Sequence, residues 1–396
     1  MKILVITNLF PNKIEPQRAT YNRQQMFMLS KLCELKVVAP ISWFPLKRFF
    51  EGDIKSSEIP SNEVIEGIET FHPKYFMTPK IGRSLYGIMF FFSILMPVLR
   101  IYKTFKFDII FATWAYPDSF ASVLISKLLK KPIITKVHGT DINEYAELWL
   151  RRRMIRFTLN NSCCVISVSQ DLRDKMIEIG VKPEKVKVIY NGIDSDIFKP
   201  LDKMDIRREL GIDINKKVIL FVGNLKPVKG LIYLIEAFAG IVDCSQNIVL
   251  ILIGAGELKK ELEDEIKKHG IENCVQILGT KSHKEIPKWM NACDLLCLPS
   301  LNEGVPNVIL EALACGIPVV ASNVGGIPEI QTSKEYGILV SPKNSEELQK
   351  AILDCLNKSW DREAISKYSA RFSWENNAEM IYHEMVNVLI ESKSNA

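Results

Sequence analysis

Short apolar runs rich in Ile and Val alternate with helix-patterned stretches along nearly the whole chain, and the alternation restarts once. In the first half the runs fall at 3–7, 35–39, 108–112, 133–137, 165–168 and 186–190, with helical stretches near 18–32, 84–104, 117–130, 141–160 and 170–179. Residues 191–200 (NGIDSDIFKP) make a polar, turn-rich break. Beyond it, strands fit 218–222, 248–253, 275–278, 295–298, 319–322 and 337–340, and helices fit 229–240, 257–269, 283–292, 307–315, 345–357 and 375–392. Near-continuous apolar strands are buried on both faces, the state of a parallel sheet covered by helices. The chain therefore reads as α/β, with two successive Rossmann-like halves. The segment 41–83 is less regular, with an extended pair expected around 64–75.

At 396 residues the chain exceeds one simple core, so two domains of about 200 residues each are expected. The net charge of +5 is unevenly placed: residues 1–190 carry 28 Lys+Arg against 17 Asp+Glu, net +11, and the remainder 23 against 29, net −6. Such asymmetry points the first half at something anionic. Nucleic acid is a poor partner, because no recognised binding motif is present and the basic residues are scattered. An acidic membrane surface or a phosphorylated substrate fits better. The nine cysteines show no recurring C-x-x-C pairs and no histidine clusters with them, so they read as free, mostly buried thiols in a reducing compartment, with no metal site. The start, MKILVITNLF, reads as a first strand and not a signal peptide. The most lipophilic stretch, 85–99, is 15 residues long and contains Gly87 and Pro97, which is short of the roughly 20 needed to span a bilayer. It reads as a core helix. Its basic flanks (Lys74, Lys80 and Arg83 before, Arg100, Lys103 and Lys106 after) leave open a helix lying in the headgroups of anionic lipid.

The most informative polar segment is 302–329, NEGVPNVILEALACGIPVVASNVGGIPE. It reads as a loop carrying Glu303, a helix opened by Pro306 and stopped by Gly316, an apolar strand, and a Gly325-Gly326 turn before Glu329. Glu311 sits alone in an otherwise apolar helix, which a solvated face would not leave so bare. Free N–H groups at the helix start suit a phosphate, and the two carboxylates suit sugar or ribose hydroxyls. In open α/β sheets, ligands bind beyond the carboxyl ends of the strands, and the other polar motifs fall there too. His138 follows the strand 133–137 in KVHGTDIN; it either faces a ligand or caps the strand as a neutral ring. Asp141 either caps the next helix or positions an acceptor hydroxyl. FVGNLKPVKG ends another strand, with Gly223 and Gly230 around a turn, Lys229 expected at a helix start and Lys226 as a second cation. It lacks the spacing of a P-loop. Gly254, Gly256 and Gly279 follow further strand ends and would admit a flat ring such as a nucleobase. Together these features describe a pocket for a sugar nucleotide.

The ordered motifs HGTD, NGIDSDIF, GNLKPVKG, IGAGE, NEGVPNVILEA and GGIPE resemble those of retaining glycosyltransferases of family 4 over nearly the whole chain, the E-x7-E segment being the most specific. The resemblance implies the GT-B fold, two Rossmann-like domains facing each other across a cleft. It implies transfer of a sugar from a nucleotide diphosphate, commonly UDP, to a hydroxyl acceptor with retention of configuration and without a metal or other cofactor. On that pattern Glu303 binds donor-sugar hydroxyls, Glu311 the ribose, Lys229 the diphosphate, and His138 reaches the sugar. Gly223, Asn224, Lys226, Gly254, Gly279, Gly304, Val305, Pro306 and Asn307 would line the donor. The domains would be 1–190 with a returning C-terminal helix of about 373–396, and 191–372. Two positions depart from the pattern: Asn224 stands where the family often has Arg, with Lys226 or Arg18 expected to compensate, and Ala19-Thr20 stand where a glycine is common. The basic first half and the lipophilic 85–99 stretch favour as acceptor a saccharide or polyprenyl-linked saccharide in surface-polysaccharide or cell-wall synthesis, on the cytoplasmic face of the membrane. An epimerase or phosphorylase on the same plan, or a non-catalytic sugar-nucleotide-binding protein, are the alternatives.

Overall fold

The computed structural model describes residues 1–43, 58–77, 83–242 and 247–394; Lys80 and Cys244 lie outside them. These residues divide into two compact units, Met1–Tyr190 with Trp374–Ala396, and Asn191–Ser373.

The first unit holds β1 (Lys2–Ile6), β2 (Glu34–Val38), β3 (Ile41–Trp43), β4 (Asn62–Ile65), β5 (Ile68–Phe71), β6 (Lys74–Phe76), β7 (Ile109–Thr113), β8 (Ile133–Val137), β9 (Cys164–Ser167) and β10 (Val186–Val188). Its main sheet runs β10-β9-β8-β7-β1-β2-β5-β4 and is parallel except for the β4–β5 hairpin. That hairpin turns at Glu66-Gly67, both at positive φ, the conformation a two-residue hairpin loop demands. β7 (IIFAT) and β8 (IITKV) are buried along their full length because helices cover both faces, and even Thr113, Thr135 and Lys136 are enclosed with the apolar residues. One face carries helix α1 (Thr20–Ser30) and the chain's last helix, whose Ile381, Met385 and Val388 share a core with Ile3, Val5, Met26 and Leu29. Trp374 Nε1 donates to Gln24 Oε1 (2.9 Å), and Gln25 Nε2 donates to Asn377 Oδ1 (2.6 Å).

The other face carries α2 (Tyr86–Thr104), α3 (Phe120–Leu129) and α4 (Trp149–Asn161), with α3 packed against both others. The helix expected near 84–104 forms, as α2, but the expectation that its apolar part is too short to span a bilayer changes. α2 is 19 residues long, runs through Pro97, and among the described helices it alone is long and apolar enough to cross a membrane. Phe90, Ile94, Val98 and Ile101 recur every three or four residues and seat one side of it in the core with Leu4, Ile6 and Ile110. Gly87 is needed there, since a Cβ would lie 2.6 Å from the Phe120 ring and 2.7 Å from the Tyr116 ring. A second expectation also changes: the single helix over 141–160 is instead a short turn (Thr140–Asn143), a 3-10 turn (Tyr145–Glu147) and α4. Leu148 is extended between them, and Arg152 Nε donates to the Ala146 carbonyl (2.7 Å), closing the break.

The second unit holds β11 (Lys217–Val222), β12 (Ile248–Ile253), β13 (Val275–Ile277), β14 (Leu295–Leu298), β15 (Val319–Ser322) and β16 (Gly337–Val340). They form one parallel sheet in the order β13-β12-β11-β14-β15-β16. The order reverses at β11 and β14, the switch point beyond whose carboxyl ends such sheets bind ligands. Lys229 follows β11 and Glu303 follows β14.

Candidate functional site

Local chemistry shapes the second-unit site. After β11 the chain makes a 3-10 turn, Pro227–Lys229, closed by Gly230 at φ +63, and only then starts the helix Leu231–Val242. Lys229 thus precedes the helix instead of opening it, because the left-handed Gly230 intervenes. A Cβ on that glycine would lie 2.1 Å from the Pro299 carbonyl oxygen. The Leu301 N–H donates to the Val228 carbonyl (2.7 Å), which registers this turn against the loop after β14. Lys229 Nζ consequently lies 2.5 Å from Glu303 Oε1, an oxygen that also accepts from Ser300 Oγ (2.7 Å). The ion pair is mostly shielded, with side chains 20% and 12% exposed, so it is little weakened by solvent.

The loop then leads into α5 (Asn307–Ala314). Pro306 is the residue just before the helix and not inside its first turn, and it offers no side-chain cap to the first N–H groups. The main chain at Glu303 and Gly304, just before Val305 and Pro306, is held from the far side: the Gly326 N–H donates to the Gly304 carbonyl (2.8 Å), and a Cβ on Gly325 would lie 2.0 Å from the Glu303 carbonyl oxygen. Asn307 Oδ1 accepts from Asn191 Nδ2 (3.0 Å). Glu311, one turn into α5, faces His283: Glu311 Oε1 and His283 Nε2 are 3.4 Å apart, and Phe198 meets the imidazole edge-on at 5.0 Å. The three loops after β11, β12 and β13 interlock through Gly223 N–H to Ile253 O (2.9 Å), Leu225 N–H to Ala255 O (3.0 Å) and Gly254 N–H to Gly279 O (2.9 Å). The space a side chain would occupy at Gly254 is filled by the Gly223 carbonyl, 1.8 Å from an ideal Cβ, whereas at Gly279 it is open. Asn224 and Lys226 are exposed on the same loop. Among the described residues no His/Cys/Asp/Glu group is placed to hold a metal ion.

At the strand ends of the first unit, His138 lies between Tyr21 (centroids 5.2 Å apart) and the stacked ring of Trp114 (6.0 Å). Its Nε2 is closed off from solvent without a hydrogen-bond partner. Burial, aided by the positive Lys136 two residues back on β8, pushes the imidazole pKa well below its usual value, so the ring is neutral. Asp141 neither caps a helix nor faces out. It is wholly buried, and its carboxylate accepts from the N–H groups of His138 (3.1 Å), Gly139 (2.8 Å) and Ala115 (2.9 Å), which fixes the His138 turn to the end of β7. Asp118 is equally buried, accepting from the Asn8 N–H (2.5 Å) while its second oxygen has no partner. Arg18 is engaged by Glu15 at 2.8 Å. Ala19, where a glycine was expected from the resemblance, adopts φ 46 and ψ 55, the left-handed region that glycine favours.

His283, Ser300 and Asp118 were not singled out from the sequence. His283 reads in sequence as the first residue of the 283–292 helix but lies in the turn before Ile286, and only its meeting with Glu311 distinguishes it. Asp118 is unmarked because nothing in YPDS signals burial.

Residues 58–197 match the family described as Glycosyltransferase Family 4, and residues 202–372 match Glycosyl transferases group 1. An uncharacterized glycosyltransferase of Methanocaldococcus jannaschii is 31% identical over 84% of this chain and 86% of its own length. TuaC of Bacillus subtilis, whose name assigns it to teichuronic acid biosynthesis, is 26% identical over 98% of this chain and 99% of its own. Among solved structures, HepE of Anabaena in complex with UDP superposes with a TM-score of 0.75 at 25% identity, over 98% of this chain and 100% of its own; HepE has also been solved with UDP-glucose. A sucrose-phosphate synthase from Thermosynechococcus elongatus shares the fold with a TM-score of 0.78 at 19% identity, covering 98% of this chain and 99% of its own.

Proposed function

Because this chain belongs to the family 4 glycosyltransferases and has their GT-B fold, we propose that it transfers a sugar from a UDP-sugar, with retention of configuration, to a hydroxyl of a saccharide carried on a lipid. The observation that carries the donor half is the convergence of Lys229, Glu303 and the uncapped start of α5 beyond β11 and β14. A diphosphate reaching that point meets an ammonium and unused main-chain donors together. Glu303, already oriented by Ser300, accepts from sugar hydroxyls, and Glu311 accepts from the ribose. The UDP-bound state of HepE supports uridine as the nucleotide.

In this reading the acceptor hydroxyl attacks from the face the diphosphate leaves. The protein supplies positioning and stabilisation of the leaving group's charge by Lys229 and the α5 N-terminus, without a metal. His138 acts as a neutral hydrogen-bonding group toward the sugar. A teichuronic-acid relative supports a surface-polysaccharide or cell-wall acceptor. The basic first half and the apolar outer side of α2 support a peripheral station on the cytoplasmic face of the membrane.

A thermal-shift screen over UDP-, GDP- and ADP-sugars, followed by transfer of labelled sugar to lipid-linked saccharide, tests this reading. The expected result is stabilisation by a UDP-sugar and acceptor-dependent label transfer. Sugar epimerisation without acceptor, or turnover requiring inorganic phosphate, would replace it with an epimerase or a phosphorylase.

A further inference from the structure

The solvent side of α4 does not look like that of an ordinary surface helix. Trp149, Arg152, Arg153, Arg156 and Phe157 follow one another at offsets of 0, 3, 4, 7 and 8, a single helical stripe. All five are exposed, Trp149 by 67%, while Arg151, Ile155, Thr158 and Leu159 are buried on the opposite side. The helix WLRRRMIRFTLNN contains no acidic residue. A solvated face normally mixes both signs and pairs them at i,i+4. Here the cations lie on aromatic rings: Arg153 over Trp149 at 5.1 Å, and Lys127 of α3 over Phe157 at 4.9 Å. Leu148 and Leu150 extend the apolar part at the N-terminal end.

We propose that α4 docks the enzyme onto an anionic lipid bilayer through Trp149, Arg152, Arg153, Arg156 and Phe157. This rests on the reading above that the acceptor is membrane-borne, and it names the element that makes the contact. Arg152, Arg153 and Arg156 stand on a helix with no acid of its own, the nearest exposed carboxylate in sequence being Glu147 just before it, and they complement an anionic headgroup layer, where each is worth about 1 kcal/mol. Tryptophan at the helix start suits the headgroup boundary, which accepts a ring and a polar N–H together, and phenylalanine at the far end of the stripe adds apolar area that inserts beneath it. The surface continues over neighbouring helices. α3 ends in exposed Lys127 and Leu128 with Lys130 just beyond it, and Leu85 just before α2 is followed by its exposed Ile88, Phe92 and Met96 along one line that runs on into Arg100 and Lys103. An acidic polysaccharide would satisfy the arginines but would leave Trp149, Leu148, Leu150 and Phe157 in water, so the bilayer is favoured.

The test is co-sedimentation of the full chain with phosphatidylcholine vesicles, with and without phosphatidylglycerol, for wild type, the triple variant Arg152→Glu/Arg153→Glu/Arg156→Glu, Trp149→Ser/Phe157→Ser, and Phe92→Ser/Met96→Ser in α2. Stabilisation by the donor reports in parallel that each variant is folded. Wild type is expected to bind only the anionic vesicles and to be released by salt. Each α4 variant should lose at least about tenfold in partitioning while keeping donor stabilisation. If the α4 variants partition like wild type and the α2 variant does not, the docking element is misassigned, although the membrane reading stands. If wild type ignores anionic vesicles at low salt, both fall. Tighter binding to an acidic polysaccharide, lost in the same arginine variant, would overturn the lipid assignment in favour of the polymer.

Discussion

Lys229 and Glu303, 74 residues apart in sequence, are joined by an ion pair whose Nζ–Oε1 distance is 2.5 Å. Each therefore holds the other's charge in place where the donor is proposed to bind. A bound diphosphate would share the ammonium with the carboxylate without either side chain having to be ordered anew, which lowers the entropic cost of binding.

Lys229→Ala and Glu303→Ala should each lower kcat by about 10²–10³, the usual cost of losing one charge-stabilising donor or positioning group. Unfolding should remain cooperative, because Glu303 keeps Ser300 as partner in the first variant and Lys229 regains solvent in the second. Steady-state kinetics with circular dichroism on the same samples checks this. Near-wild-type kcat in either variant removes the assignment of that residue.

His283→Ala should raise KM for the donor by about tenfold with kcat little changed, as expected when a group that orients the Glu311 carboxylate toward the ribose hydroxyls is lost. His283→Gln, which keeps an N–H aimed at Glu311, should recover most of the affinity. A fall in kcat at constant KM would show that His283 acts on the chemistry and not through Glu311.

Gly325→Ala should displace the Glu303 loop, since the new methyl would lie 2.0 Å from the Glu303 carbonyl oxygen. A loss of about 1–3 kcal/mol in denaturant stability and weaker donor binding are expected. Ala19→Gly has the opposite sign. Relief of a left-handed alanine, worth about 1–2 kcal/mol, exceeds the roughly 0.5–1 kcal/mol entropic cost of glycine. Stability should hold or rise slightly, and a loss would show that the Ala19 methyl makes a contact worth more than the strain.

Lys136 sits wholly buried on β8, donating to Gln25 Oε1 at 3.1 Å, and burial pushes its pKa down to about 7. In the unfolded chain it titrates near ~10.4, so between those values the unfolded state binds more protons and stability rises with pH. The buried thiols act oppositely. Cys164, Cys293 and Cys355 are pushed up to about 12, so their native forms keep protons that the unfolded chain loses above roughly pH 8.5, and stability falls there. The lysine contribution is therefore read as a difference. The stability of Lys136→Met relative to wild type should be largest at or below about pH 7 and shrink toward pH 8.5. A constant difference in urea titrations would show that Lys136 does not lose its proton in the fold.

The strand plan was nearly complete in the sequence because strands buried on both faces are mostly apolar and so stand out from the polar loops between them, even where one holds a buried Thr135 and Lys136. The runs at 133–137, 248–253 and 319–322 coincide with β8, β12 and β15. Helix boundaries were less legible. Nothing local in 141–160 announces the break at Leu148, where the chain is extended and Arg152 Nε folds back onto the Ala146 carbonyl. Helices Lys203–Leu210 and Arg362–Ser369 were missed, since each is a single short amphipathic unit whose apolar side has meaning only against its neighbour. The α4 stripe was present in WLRRRMIRF, yet which side of the helix faces water depends on where Ile155 and Leu159 pack.

By itself the sequence determined which residues stand at the carboxyl ends of the strands: His138, Lys229, Glu303 and the start of α5. The chain's alternation of apolar and polar stretches leaves them nowhere else to go. Only the tertiary structure decided who meets whom among them: Lys229 with Glu303, His283 with Glu311, and Asp141 turned inward to the main chain instead of outward to a ligand. The reason is physical. Strand and loop positions follow from local patterning, but the contact between two loop tips depends on sheet order, β11 beside β14, and sheet order comes from packing across the whole domain.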